Sequence, residues 1–283
     1  MTPRLCDLKA LGPHGFTEVA YTEWGPETGD RVVVCVHGLT RNARDFDWVA
    51  QALAERGWRV LCPDMPGRGR SAWLSDPADY GYAVYLSASA ALIARSGAAR
   101  VAWLGTSMGG IIGMMLAAQP KSPVSALILN DVGALVPKAS LARIGSYVGD
   151  APIFADLPAV EAYLRRVHAP FGALTDEQWH HMAVHGSRPA EQGGLRLNYD
   201  PAIALPFKQQ EPQDVDLWPV WQNVACPTLI LRGETSDLLL AETAAQMSAG
   251  GRARLIEVPG CGHAPALMEP GQIAAVVDFL EQH

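Results

Sequence analysis

Ser107 stands in WLGTSMGG, residues 103–110, with Gly105 two positions before it and Gly109 two after. An alkyl hydroxyl is a weak nucleophile, so one that does chemistry needs exposure, a base to take its proton, and donors for the oxyanion its attack creates. A sharp turn from strand into helix gives the exposure and crowds the positions on either side of the serine, where glycine removes the collision. The same turn sets Ser107 at the N-terminus of the helix expected from MGGIIGMMLAAQ, where free backbone N–H groups favour developing negative charge. The N–H of Met108 is the first oxyanion donor on this reading. A plain strand-to-helix turn is the competing explanation, and the apolar strand before and uncharged helix after favour the nucleophile.

Of the eight histidines, His263 is placed to act as base. It lies in VPGCGHAP, a loop after the last expected strand that can hold a side chain at the carboxyl rim of a sheet. An acid must then fix the imidazole's tautomer and stabilise its cation. Asp237 follows PTLILRGETS and Asp131 closes SALILND, so both end strands. Asp237 is preferred, because an acid after the later strand is the commoner arrangement in the chain order Ser, Asp, His; Asp131 is the reserve and Glu234 a loop charge. The second oxyanion donor is expected at the N–H of Leu39, in the loop after RVVVCVHG, with His37 packing and ordering that loop. Arg41 lies two positions beyond Leu39, and its planar fork suits a substrate carboxylate; the plainer alternative is an ion pair with Asp45. His180, His181 and His185 share a helical stretch without a third ligand or an H-E-x-x-H pattern, so neither a metal nor a cofactor is expected. PGRGRS has neither dinucleotide nor P-loop spacing and reads as a tight loop.

The elements that must position these groups alternate along the chain. Continuous apolar runs suited to strands buried on both faces occur at 31–38, 58–64, 100–107, 125–131, 227–233 and 253–260, and FTEVAYTEW at 16–24 alternates like a half-exposed strand. Helical spacing lies between them, at Asp47 to Arg56, Tyr80 to Arg95, Met108 to Gln119, Ala241 to Met247 and Pro270 to Glu281. That alternation is the pattern of an α/β fold with a mostly parallel sheet. From Gly133 to about Trp218 the rhythm breaks into helical pieces with no comparable strand run, which reads as a mainly helical insertion.

Composition bounds the function. A chain of 283 residues, 49% hydrophobic and 18% charged, can bury one sizeable core. Its formal charge of −7 opposes a surface built to follow phosphates, so nucleic acid is not an expected partner. The N-terminal MTPRLCDLKALGPHG lacks a signal-like apolar core and no window approaches the roughly 20 apolar residues of a membrane span, so a soluble cytoplasmic protein is expected. Five scattered cysteines without a C-x-x-C pair suggest neither a disulfide frame nor a zinc knuckle.

VHGLT, PDMPGRGRS, LGTSMGG, LRGETSDLL and VPGCGHAP stand in the order of the successive loop motifs of the α/β-hydrolase family, which the chain resembles from about Phe16 to its end. The resemblance implies a mostly parallel eight-stranded sheet flanked by helices, with core segments at 1–132 and 219–283 and a helical lid at 133–218. It carries the nucleophile onto Ser107, the acid onto Asp237, the base onto His263, and oxyanion donation onto Leu39 and Met108. Within the family the chain is most similar to lidded esterases, enol-lactonases and carbon–carbon bond hydrolases. Serine at the nucleophile position argues against the dehalogenating and epoxide-opening branches, which use aspartate. The expected activity is hydrolysis of a small to medium carboxylic ester or lactone through an acyl-enzyme on Ser107. The alternatives are hydrolysis of a carbon–carbon bond beside a carbonyl, and a non-catalytic small-molecule receptor of the same fold.

Overall fold

The segment VVVCV, residues 32–36, buries all its side chains because each face of its strand meets a different apolar layer: Val32, Val34 and Val36 point into one, Val33 and Cys35 into the other. In the computed structural model, which describes residues 1–209 and 211–283, this pattern repeats across one large sheet. The strands run in chain order as β1 (Arg4–Gly12), β2 (Gly15–Trp24), β3 (Val32–Val36), β4 (Arg59–Pro63), β5 (Val101–Thr106), β6 (Val124–Asn130), the short β7 (Leu135–Val136), β8 (Ser187–Pro189), β9 (Leu195–Leu197) and β10 (Val215–Asp216), then β11 (Thr228–Gly233) and β12 (Ala253–Val258). Eight of them form the main sheet in the order β1-β2-β4-β3-β5-β6-β11-β12. The β1–β2 and β2–β4 pairs are antiparallel and every later pair is parallel.

β1 is the strand that the sequence reading lacks. Its side chains alternate between exposed and half-buried or, at Ala10, buried, with Leu5 and Leu11 facing water, so it presents no apolar run and is specified by its hairpin pairing with β2 from Arg4↔Glu23 to Gly12↔Gly15.

The helices are α1 (Asp47–Glu55), α2 (Tyr82–Ser96), α3 (Met108–Ala117), α4 (Lys138–Gly145), α5 (Leu157–Val167), α6 (Asp176–Gly186), α7 (Leu205–Gln209), α8 (Trp218–Trp221), α9 (Ala241–Ser248) and α10 (Pro270–Gln282). Val49 and Leu53 of α1 join Val276 and Leu280 of α10 on one face of the sheet. Leu92 of α2, Ile112 of α3 and Ala244 of α9 belong to the layer on the other. Between β6 and β11 the chain leaves the sheet: α4 to α8 lie there, where the sequence predicts a mainly helical insertion, together with two short antiparallel ribbons, β7–β10 and β8–β9, that the sequence reading does not single out. Thr175 and Gln178 close a capping box at the start of α6.

The chain passes from β3 to β4 on one side and to β5 on the other, so the connections diverge at β3 and leave a crevice beyond the carboxyl ends of β3 and β5. Ser107 and Leu39 both lie at that rim. Among the described residues, no helix is long and apolar enough to cross a membrane.

Candidate active site

Ser107 joins β5 to α3 with φ 52° and ψ −115°, a conformation strained for any residue with a side chain. The glycines make the turn possible. A Cβ on Gly105 would run into the carbonyl oxygen of Gly109, as the spacing anticipates, while a Cβ on Gly109 would meet the carbonyl of Val36 on β3. The second glycine is therefore required by the approach of the neighbouring strand. The elbow is fastened from both sides: the Ser107 N–H donates to the Asn130 carbonyl (3.0 Å), and the Trp103 indole N–H to the Gly109 carbonyl (2.9 Å).

His263, in the loop between β12 and α10, brings Nε2 to 2.9 Å from Ser107 Oγ. Its Nδ1 lies 2.8 Å from Oδ2 of Asp131. An ionised carboxylate can only accept, so Nδ1 carries the proton and Nε2 presents its lone pair to the serine hydroxyl. Asp131 is fully buried at the end of β6, and its carboxylate accepts from the Gly233 N–H (2.7 Å) and the Ser236 hydroxyl (2.6 Å) as well as from His263.

The preference for Asp237 is corrected by this geometry. Its carboxylate points outward, half-exposed, and takes a bidentate pair from Arg143 of α4 at 2.6 and 2.9 Å. Sheet order explains the difference. β6 lies directly beside β5, whereas β11 is one strand further away, and its following loop turns Ser236 inward to brace Asp131 while Asp237 faces α4.

The loop after β3 runs against the nucleophile, so that a Cβ on Gly38 would lie 3.8 Å from that of Ser107. The Leu39 N–H makes no hydrogen bond within the described residues, and Met108, as the first residue of α3, has no helical carbonyl to receive its N–H. Two buried side chains set this loop. His37 accepts the Met65 N–H at Nε2 (2.9 Å) and therefore donates from Nδ1 to the Gly38 carbonyl (2.7 Å), the ordering role expected of it. Arg68, wholly buried within PGRGRS, donates from Nε to the Leu39 carbonyl (2.8 Å) and from Nη1 to the Pro66 carbonyl (2.7 Å) and the Tyr85 hydroxyl (2.8 Å). The tight loop is thus a brace for Leu39, a role no spacing rule reveals.

Burial pushes the His37 pKa down to about 4. An unfolded chain takes up this proton near 6.5, so the unfolded state binds more protons in the window between, and this contribution to stability falls as pH drops from about 6.5 to about 4. His37→Gln is expected to be less stable than the parent at neutral pH, with the gap narrowing by roughly 1 kcal/mol per pH unit on acidification. Urea unfolding at neutral pH and near pH 5 checks this; a gap independent of pH would show that His37 does not remain neutral in the fold.

Ser107 and His263 open on a cavity walled by Gly38, Leu39 and Arg41 on one side and by α4, α5 and α6 residues such as Ile144, Val167 and Met182 on the other. Arg41 is buried, and its Nε and Nη2 are closed onto Asp45 at 2.8 and 2.6 Å, the plainer of its two expected pairings. Beside the cavity, the histidine cluster gains the third ligand its sequence lacked. Asp47 of α1 joins His181 and His185 with ligand atoms within 4.8 Å of one another. Arg44 already donates from Nε to both Asp47 oxygens (3.0 and 2.7 Å), so the cation held in this cluster is a guanidinium. His180 faces Glu161 instead, at 3.6 Å.

Comparison with known proteins agrees with the fold. The family model described as "Alpha/beta hydrolase family" matches residues 33–276. The chain is 44% identical to a 3-hydroxybutyrate-oligomer hydrolase of Cupriavidus necator over 287 aligned positions, covering 98% of each chain. Among solved structures it is similar to a putative hydrolase from Rickettsia typhi (TM-score 0.92, 33% identity, 100% of each chain covered) and to an alpha/beta hydrolase from Novosphingobium aromaticivorans (TM-score 0.87, 37% identity, 100% of each). With its parallel sheet, its strained serine between β5 and α3, and relatives matched over the whole length, the chain belongs to the alpha/beta hydrolase family.

Proposed function

We propose that the protein is a carboxylic-ester hydrolase working through an acyl-enzyme on Ser107, with residues 133–218 as a lid over the pocket. The observation that carries this reading is the continuous chain from Ser107 through His263 to Asp131, at 2.9 and 2.8 Å, starting from a strained serine at a helix N-terminus. Ser107 attacks the ester carbonyl while His263 Nε2 takes its proton, and Asp131 stabilises the imidazolium. The N–H groups of Leu39 and Met108 receive the oxyanion. Collapse expels the alcohol, which takes the proton from His263. Water, activated by the same imidazole, then releases the acid and restores the serine.

The mainly apolar, lidded cavity favours small to medium esters, and lactones fall within the same chemistry. Similarity to a 3-hydroxybutyrate-oligomer hydrolase supports including esters of short hydroxyacids in that range. The test is a series of p-nitrophenyl esters from acetate to decanoate together with simple lactones. Turnover is expected to be highest for short acyl chains and to fall at least tenfold for the longest, which must displace the lid. Absence of hydrolysis by protein that remains folded would exclude the proposal.

A further inference from the structure

One polar side chain in the pocket has no part in the chemistry just described. His168 follows α5, is 9% exposed, and lines the cavity that holds Ser107 and His263. The Phe171 ring packs on its imidazole with centroids 4.5 Å apart. Neither imidazole nitrogen forms a hydrogen bond with a described residue, and the residue lines the cavity. Buried side-chain polar groups are nearly always partnered, and one that is not asks for a partner from outside the chain.

Its position gives that partner a place. The main cavity adjoins a smaller one, and the two share Thr40, Arg41, Tyr147, Val167 and His168. His168 thus stands at the junction of the two. Beside it, the Nη1 of Arg41 has no hydrogen bond to the described residues, since the ion pair with Asp45 uses the other two nitrogens. Gly186 leaves room for this nitrogen: a Cβ there would sit 3.3 Å from it.

The charge state selects the ligand. Arg41 is already balanced by Asp45, and burial, with Arg41 and His263 nearby, holds the His168 pKa well below the usual histidine range. A neutral imidazole offers one N–H donor and one acceptor lone pair. A hydroxyl matches it with one donor and its own lone pairs, whereas a carboxylate only accepts and would bring an unbalanced charge into a buried place.

We propose that His168, together with Nη1 of Arg41, forms a subsite that hydrogen-bonds a hydroxyl group of the substrate, making hydroxyacid esters and their short oligomers the preferred class. This rests on the reading of Ser107 as the nucleophile of an ester hydrolase. His168 is then a specificity-determining residue, and Arg41 reads a neutral oxygen rather than the carboxylate its sequence position suggested.

The test compares matched esters that differ by one hydroxyl: p-nitrophenyl 3-hydroxybutyrate against p-nitrophenyl butyrate for the acyl side, and 3-hydroxybutyl acetate against butyl acetate for the alcohol side. In the parent protein one pair is expected to show about tenfold higher kcat/KM for the hydroxylated member, the discrimination of one satisfied hydrogen bond. His168→Phe is expected to bring that ratio to about one, and His168→Gln, which keeps a neutral donor and acceptor, to retain most of it. Each ratio is internal to one preparation, so partial loss of folded protein cancels. Turnover of all four esters without a hydroxyl preference, or a preference that survives His168→Phe, overturns this proposal alone. A preference for p-nitrophenyl hemisuccinate that depends on His168 overturns it in favour of a carboxylate subsite. Inertness towards every ester overturns the nucleophile reading as well.

Discussion

Replacing Ser107 by alanine is expected to abolish stoichiometric labelling by a fluorophosphonate and to lower kcat on p-nitrophenyl butyrate by about 10⁴-fold or more. The proposed covalent route passes through one oxygen, and on that reading the oxyanion donors can assist only a direct attack by water once that oxygen is gone. The fold should tolerate the change. The Ser107 hydroxyl hydrogen-bonds to His263 and to no backbone group, while the turn depends on Gly105, Gly109, the backbone bond from Ser107 to Asn130 and the bond from the Trp103 indole to the Gly109 carbonyl. A thermal midpoint near that of the parent, with labelling and turnover lost, is the expected combination. Labelling that persists in Ser107→Ala would place the nucleophile elsewhere.

The second large effect separates two aspartates that sequence alone leaves in competition. Asp131→Asn is expected to lower kcat by about 10⁴-fold, because an amide facing Nδ1 favours the wrong tautomer and removes the charge that stabilises the imidazolium. Asp237→Asn, which breaks only the Arg143 pair, is expected to keep kcat within about tenfold and to cost less than about 1 kcal/mol, as is usual for half-exposed ion pairs. Parallel measurements of kcat and of urea midpoints decide the matter. Equal losses at both positions, or the larger loss at Asp237, would mean that the acid acting in solution is not the one 2.8 Å from His263.

The reasons the sequence reveals some of these groups and hides others are physical. Ser107 is legible because its turn imposes a local pattern, glycines at fixed distance between an apolar run and a helix, and His263 because its loop follows the last strand. The core strands β3 to β6 and β11 announce themselves through nearly unbroken burial. Asp131 against Asp237 is different. The choice depends on β6 lying next to β5, and lateral order in a sheet leaves no mark in residue spacing. β1 is hidden for a related cause, since an outer antiparallel strand with one wet face needs no continuous apolar run. Arg68 and His168 lie beyond reach altogether. An arginine in a glycine-rich loop and a histidine after α5 look ordinary until folding seals one against the Leu39 carbonyl and places the other in the wall of the cavity.

The outward turn of Asp237 has a consequence for how this protein can change. The Arg143 guanidinium and the Ser140 hydroxyl both grip residue 237, by its carboxylate and its carbonyl, while the neighbouring Ser236 serves Asp131. The mooring of α4 and the acid of the reacting centre are therefore assigned to different strands. On the proposed reading of residues 133–218 as a lid, point changes at 140, 143 or 237 are expected to retune which molecules enter without disturbing the contact between Asp131 and His263. Selectivity and reactivity can drift independently in such an arrangement, which makes this mooring a natural first place to engineer access to bulkier substrates.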